Sequence, residues 1–244
     1  TEKGTSVSVR NLFYNTPARR NFLKSNQTEF KHIYDTFIRL AIANHEVSFS
    51  FINEDEEIFE LSPTDLKGRL LQIYGIEFGG NLIEVEHSNE LITLRGFTSK
   101  PSFTKKSKQD QILFLNKRFV NSKALSYAVH MAYEDLIDKG DYPNFFLFLT
   151  LDPVKFDINV HPSKLEVKFE EEKAVFGFIK KGVWSALEKN DLIVSVKIPE
   201  LNSSRNEDQV YPRRNANIFS STSFVTKRDP NTTPMTFRKH EESP

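Results

Sequence analysis

Apolar residues recur at helical spacing in several stretches of the chain. Between residues 29 and 44 they fall three or four positions apart, at Phe30, Ile33, Tyr34, Phe37, Ile38 and Ala41. The same spacing runs through residues 65–74, 122–140 and 171–189. This pattern is typical of helices that bury one face, so we predict four long amphipathic helices.

Other stretches alternate between apolar and polar residues, as half-buried strands do. The segments that predict strands are 7–9, 47–51, 58–61, 82–86, 91–98, 112–120, 156–160 and 165–169. Residues 145–151 are almost continuously apolar, which predicts a central strand buried on both faces. Residues 111–151 therefore read as a strand–helix–strand crossover unit, and the whole chain as α+β.

Capping residues indicate where the helices begin and end. Thr16 and Pro17 precede a short basic helix over residues 18–25. Thr64 and Ser122 are suited to cap the second and third long helices. Gly140 is suited to end the third.

The segment Ser62-Pro63-Thr64 interrupts the pattern and marks a candidate domain boundary. We expect part of one domain over residues 1–62, a complete domain over residues 63–192 and a linker over residues 193–244. The linker is rich in Asn, Ser, Thr, Pro and Arg with few spaced apolar residues, so we expect it to be disordered. Because the first element looks like the middle of a domain, we interpret the chain as an internal piece of a longer protein.

The composition excludes several classes of functional site but does not identify the function. The 244 residues contain 33 basic and 33 acidic side chains, so the formal net charge is zero and a nucleic-acid site must be a local patch. The absence of cysteine excludes disulfides, thiolate metal sites and cysteine nucleophiles. No apolar run approaches the ~20 residues that span a bilayer, and the polar start is unlike a signal peptide, which fits a cytosolic protein with no membrane partner.

Three longer motifs carry more information. They are GTSVSVRNLFYNTPARRNFLKS at residues 4–25, FLNKRFVNSKAL at 114–125 and FDINVHPSKLEVKF at 156–169. In this order they closely resemble the MutL family of DNA mismatch repair proteins, over residues 1 to about 190. The resemblance implies the end of a GHKL ATPase domain, followed by a ribosomal-protein-like α+β transducer domain with a left-handed βαβ crossover. It also implies an ATP-dependent factor that links mismatch recognition to downstream repair.

The resemblance assigns nucleotide roles to three residues. It implies that Gly4 and Thr5 close the nucleotide pocket near the adenine. It implies that Lys164 reaches across the domain interface to the γ-phosphate of ATP, a role that suits a compact ammonium on a long stem. Judged without the motifs, Gly4 is a turn glycine and Lys164 an ordinary strand-end lysine.

The same resemblance implies a groove that binds the DNA backbone. Lys117, Arg118 and Lys123 would line it, and Lys105 and Lys106 on a polar, basic loop over residues 99–110 could extend it, together with Lys100 and Lys108. Phosphate contacts of this kind give affinity without reading sequence. We find no aromatic interleaving suited to base stacking, so we expect backbone binding only. Each of these cations alone remains compatible with a solvated charged face.

A last group of residues is expected to be structural: Pro17, Arg19, Arg20, Asn159, His161 and Pro162. Arg19 and Arg20 fall at the start of the short basic helix, where the helix dipole disfavours cations. We therefore expect an acidic, phosphate or interdomain partner for them, unless they form a solvated basic turn. His161, beside Pro162, is expected to hydrogen-bond locally rather than to act as a base.

The residues that perform catalysis in the family lie outside these motifs. Its water-activating Glu, Mg²⁺-holding Asn, adenine-binding Asp and glycine-rich lid all precede the Gly-Thr pair. We therefore expect ATP and Mg²⁺ to bind mostly outside this stretch, no metal ligand within it, and no ATP hydrolysis by it alone. The resemblance further implies a MutS-type mismatch sensor as partner, a homodimer that forms on ATP binding, and a bacterial cytosolic, nucleoid-associated location.

Two other functions remain open. The stretch could be the transducer region of a topoisomerase-type GHKL ATPase, although the PAR and NVHPSK segments argue against it. It could also be a stand-alone nucleic-acid-binding module, whose DNA binding would be indifferent to ATP.

Overall fold

The structure is a computed structural model that describes residues 3–158 and 165–193. Six α-helices occur in these ranges: α1 Pro17–Asn21, α2 Asn26–Ala43, α3 Leu66–Tyr74, α4 Ile76–Gly80, α5 Lys123–Met131 and α6 Glu172–Lys189. The longer strands are β1 Phe49–Asn53, β2 Glu56–Leu61, β3 Leu82–Ser88 and β4 Ile92–Ser99, followed by β6 Gln111–Leu115, β7 Arg118–Val120 and β9 Phe145–Leu151. Four two-residue strands complete the set: β5 Thr104–Lys105, β8 Tyr142–Pro143, β10 Phe156–Asp157 and β11 Lys168–Phe169. The α+β class predicted from the sequence is confirmed.

A five-stranded sheet in the order β3-β4-β9-β6-β7 forms the centre of the fold. Strand β9 is antiparallel to β4 and parallel to β6, with Leu113 opposite Leu147. Since α5 lies between β6 and β9 in the chain, the strand–helix–strand crossover predicted over residues 111–151 is confirmed. Its left-handedness stays a prediction.

Strand β9 is buried on both faces, as its apolar run predicts. Leu147 and Leu149 belong to one hydrophobic core, which α5 and α6 cover. Phe146 belongs to a second core, on the other face, which is formed with residues of α2, α3 and α4. Alternate side chains of one strand therefore hold two helical layers.

Helix α2 and the β1–β2 hairpin share an aromatic cluster. The Phe37 ring lies between Phe51 and Phe59, with centroid distances of 4.7 and 5.7 Å. The same helix contributes Ile38 and Ile42 to the second core. The apolar packing thus continues across the predicted boundary at residues 62–63, and that boundary stays a prediction.

Arg69 joins the two sides of this boundary. Its side chain is fully buried, and Nη2 donates toward the carbonyl oxygens of His45, Val47 and Ser62 at 3.0, 2.6 and 3.2 Å. Burial lowers the pKa of the Arg69 guanidinium. The group nevertheless stays charged, because an arginine side chain is not deprotonated in proteins.

The structure corrects several local predictions. Residues 7–9 do not form a strand: Val7 and Val9 are 81% and 73% exposed, and no strand in the described ranges lies beside them. The short basic helix occupies only residues 17–21 and not 18–25, and Thr16 makes no side-chain cap bond. The loop over residues 99–110 contains β5, which pairs with β8.

Helix boundaries also differ from those predicted. The cap of α3 is Asp65 rather than Thr64, because Asp65 Oδ1 accepts from Gly68 N at 2.7 Å. Helix α5 ends at Met131 rather than near Gly140. Beyond it the backbone closes short turns, with Tyr133 N donating to His130 O and Leu136 N to Tyr133 O. The buried Tyr133 hydroxyl in this turn donates to Ser99 O, which ties the chain to the end of β4.

Because β9 supports both cores, we predict that Phe146→Ala lowers the free energy of unfolding by about 3–5 kcal/mol. Thr150→Ala, on the same strand but at an exposed position, should cost less than about 1 kcal/mol. Urea unfolding followed by circular dichroism measures both. Equal effects of the two substitutions would show that the second core contributes little to stability.

Candidate nucleic-acid interface

The turn between β6 and β7 presents a lysine at a rigid position. Asn116 and Lys117 have φ values of 47° and 65°, the two positive values that a two-residue hairpin turn of type I′ requires. The Asn116 side chain donates to Leu151 O at 2.8 Å and accepts from Leu151 N at 3.1 Å. These bonds tie the turn to the end of β9, so Lys117 projects from a backbone that the central strand holds in place.

Arg118 and Lys123 stand at the two ends of the edge strand β7. Arg118 is its first residue, and Lys123 is the first residue of α5, three positions beyond its end. Ser122 caps α5 as predicted, since its Oγ accepts from Leu125 N at 3.3 Å. Lys117, Arg118 and Lys123 are all exposed, and none has an ion-pair partner among residues 3–158 and 165–193.

Lys105 and Lys106, predicted to extend this surface, are instead paired with carboxylates. Lys105 bonds the nearly buried Asp110, and Lys106 bonds Asp141. The Lys106 hydrogen bond, with help from the Thr104 hydroxyl, lowers the pKa of Asp141 and holds it ionised. The same contact raises the pKa of Lys106. These two cations are therefore locally neutralised, unlike the three beside β7.

Lys108, from the same loop, has no carboxylate partner within the described ranges. It joins Lys123 in the wall of an open groove of about 710 Å³ beside α5 and β8. Its Nζ atom lies 4.6 Å from the centroid of the Tyr142 ring. Lys100, by contrast, donates to Gly80 O at 3.0 Å.

Sequence reasoning missed several residues of this groove: Tyr127, His130, Lys139 and Tyr142. The Tyr127 and His130 rings lie 6.3 Å apart and nearly parallel, at 14°, and His130 lies 5.9 Å from Tyr142. One signal was available, since residues 127 and 130 are three positions apart on one helix face. Lys139 and Tyr142 carried no such signal, because only the turn after α5 brings them to the groove.

A smaller cavity of about 180 Å³ lies apart from this groove, where α2 meets α3 and β6. Tyr34, Arg39, Tyr74 and Asp110 line it. Burial raises the pKa of the Tyr74 hydroxyl, and the charge of Asp110 and its hydrogen bond raise it further. The cavity is polar, and the Tyr74 hydroxyl that lines it stays protonated.

The predicted nucleotide residues are only partly described. Gly4 and Thr5 lie in an exposed segment without regular secondary structure. Lys164, Asn159, His161 and Pro162 lie outside the described residues. Leu165 is the first described residue after position 158. Its carbonyl oxygen accepts from the N–H of Asn121, which lies between β7 and α5, at 2.7 Å.

Pro17 opens α1 as predicted, whereas the reasoning on Arg19 and Arg20 needs correction. Because α1 ends at Asn21, both arginines fall in its last turn, where the dipole favours cations. Both are exposed.

The described ranges hold no group of three or more His, Asp or Glu side chains arranged to bind a metal ion. Within them, no helix is both long and apolar enough to cross a membrane.

Comparison with known proteins identifies the class of this fold. A crystal structure described as the N-terminal domain of a DNA repair protein matches with a TM-score of 0.62 and 24% identity, over 74% of this chain and 60% of that one. An Aquifex aeolicus MutL ATPase domain matches with a TM-score of 0.52 and 23% identity, over 71% of this chain and 59% of that one. The chain thus shares the α+β fold of these proteins over the matched part.

Sequence comparison identifies the family. Residues 70–188 match the family model for the DNA mismatch repair protein, C-terminal domain. The DNA mismatch repair protein MutL of Christiangramia forsetii is 44% identical over 77% of this chain, and that of Chlorobium phaeobacteroides is 46% identical over 75%. The chain belongs to the MutL family of DNA mismatch repair proteins. It spans about 30% of the length of these two relatives.

Proposed function

We propose that this chain is the transducer region of an ATP-dependent mismatch repair factor and that it binds the DNA backbone along β7. The contacts come from Lys117, Arg118 and Lys123. The observation that carries the proposal is that these three exposed cations, none with an acidic partner within the described ranges, lie together at the two ends of β7. Exposed lysine and arginine side chains form strong, charge-assisted hydrogen bonds with phosphate oxygens.

The geometry suits sequence-independent binding. Lys117 and Lys123 are six residues apart across a short edge strand, a span of roughly 15–20 Å when extended. A single strand or one strand of a duplex offers several phosphates over that distance. No helix needs to enter a groove, so the contacts position DNA without reading bases.

The domain division follows from the same proposal. Residues 1–62 would be the end of the ATPase domain and residues 63–192 the transducer domain. The linker predicted over residues 193–244 lies, beyond residue 193, outside the described residues. Gly4 and Thr5 would close the nucleotide pocket near the adenine, and most of the site for ATP and Mg²⁺ would lie outside this chain. Lys164 would contact the γ-phosphate from the transducer side and couple ATP to domain motion.

The partners follow from family membership. A MutS-type sensor would recruit the protein to a mismatch, and ATP would close a homodimer around DNA. The location would be the bacterial cytosol, at the nucleoid. Of the alternatives, a topoisomerase-type motor is disfavoured by the identity of 44% and 46% to mismatch repair proteins over three quarters of the chain. A stand-alone binding module predicts DNA affinity that ATP does not change.

We predict that replacing Lys117, Arg118 and Lys123 together by Ala weakens binding of the 244-residue chain to single-stranded DNA. The slope of log K against log salt concentration should fall by about 2, because each lost phosphate contact removes roughly 0.7. Fluorescence anisotropy between 50 and 200 mM salt measures both quantities.

The matched control removes the same charge from cations that have acidic partners: Arg95→Ala, Lys106→Ala and Lys155→Ala together. We expect its slope to stay within about 0.5 of the wild-type value. If the two triple variants lose affinity equally, net charge rather than the β7 surface governs binding and the proposal is wrong.

The nucleotide role of Lys164 requires the full-length protein. We predict that Lys164→Ala lowers ATP turnover by roughly 100-fold, the usual effect of removing one charge-stabilising contact. Lys168→Ala, four residues away on β11, should leave turnover near the wild-type rate. Steady-state phosphate release with and without DNA measures this, and an unchanged rate in Lys164→Ala would exclude the γ-phosphate contact.

A further inference from the structure

The groove beside α5 combines cations with aromatic rings. Lys108, Lys123 and Lys139 lie in its walls, and Tyr127, His130 and Tyr142 supply the rings. In the described ranges, none of these lysines forms an ion pair with a carboxylate. Its volume of about 710 Å³ falls within the usual range for small-ligand sites.

Tyr127 is exposed beyond what packing explains. Its ring lies 6.1 Å from that of Phe176 and 6.3 Å from the nearly parallel ring of His130, yet 57% of the residue remains accessible. The inner face of α5 instead buries Leu125, Ala128 and Val129 in the first core. The ring of Tyr127 therefore lies at the groove with a surface free to stack on a planar ligand.

These two chemistries together match a nucleotide. A base has a π-face that stacks on aromatic side chains, and its phosphate is attracted to lysine ammonium groups. In a duplex the base faces are covered by their neighbours, whereas an unpaired strand exposes them. Lys123 belongs both to this groove and to the surface along β7, so a strand that follows β7 reaches the groove without a break.

We propose that the groove holds one nucleotide of single-stranded DNA, with the base against Tyr127 and a phosphate among Lys108, Lys123 and Lys139. The site deepens the proposed DNA-binding function and rests on it. The groove would add base stacking to the DNA-backbone contacts that the sequence motifs predict. Stacking is indifferent to base identity, so the site senses that a strand is unpaired rather than its sequence.

The test compares two oligonucleotides of equal length, one of thymidine and one entirely abasic, which keep the same phosphates. The wild-type 244-residue chain should bind the thymidine strand roughly 5- to 100-fold more tightly, the range for stacking of one base. Tyr127→Ala should abolish this preference, and Tyr127→Phe should restore it. Tyr14→Ala, at another exposed tyrosine, should behave as wild type.

The outcomes separate this inference from the function beneath it. Equal binding of both strands by the wild type, or a preference that survives Tyr127→Ala, overturns the stacking site while leaving backbone binding intact. Failure to bind either strand overturns the proposed function itself.

Competition by thymidine 5′-monophosphate distinguishes a strand from a free nucleotide. If the monophosphate displaces the thymidine strand but not the abasic strand, and does so only when Tyr127 is present, the groove accepts a free nucleotide. Absence of displacement at millimolar monophosphate, with the Tyr127-dependent preference intact, supports a site that needs the strand.

Discussion

The burial of β9 on both faces is the constraint on which the rest of the structure depends. One face of the strand gives Leu147 and Leu149 to the core under α5 and α6, and the other gives Phe146 to the core under α2, α3 and α4. A strand in this position must be apolar over most of its length and must have hydrogen-bonded neighbours on both sides. Strands β4 and β6 supply them. The surface along β7 inherits its rigidity from this arrangement, because the Asn116 side chain fastens the β6–β7 turn to Leu151 at the end of β9.

The loop over residues 99–110 contains both cations that form ion pairs and cations that do not. A chain with equal numbers of acidic and basic residues has no net attraction for DNA, so local pairing decides where an anion can bind. In the loop over residues 99–110, Lys105 pairs with Asp110 and Lys106 pairs with Asp141. Lys108 of the same loop lies instead in the wall of the groove that contains Lys123. A loop that looks uniformly basic in sequence thus has cations of two kinds. Lys117, Arg118 and Lys123, along β7 and at the start of α5, have no ion-pair partner within the described ranges.

The sequence predicted the elements better than it predicted the site. The apolar run over residues 145–151 and the helical spacing over residues 29–44 determine burial through local periodicity, and both are confirmed. The predicted end of α5 near Gly140 was wrong. The buried Tyr133 hydroxyl donates to Ser99 O, and apolar periodicity cannot reveal such a contact between residues distant in sequence. The groove was missed for the same reason, since Lys108, Tyr127 and Lys139 are brought together only by tertiary packing. The motifs that identify the family predicted Lys117, Arg118 and Lys123 as a DNA surface, which stays a prediction.

Hydrogen–deuterium exchange of the 244-residue chain, with and without single-stranded DNA, tests the central claim most directly. The claim is that DNA lies along β7 and the adjoining groove rather than against the layer formed by α2, α3 and α4. The account predicts slower exchange on DNA binding at residues 116–127 and 139–142, with α2 and α3 unchanged, because contact and ordering reduce local opening there. Slower exchange confined to α2, α3 and α4, with none at residues 116–127, would contradict it.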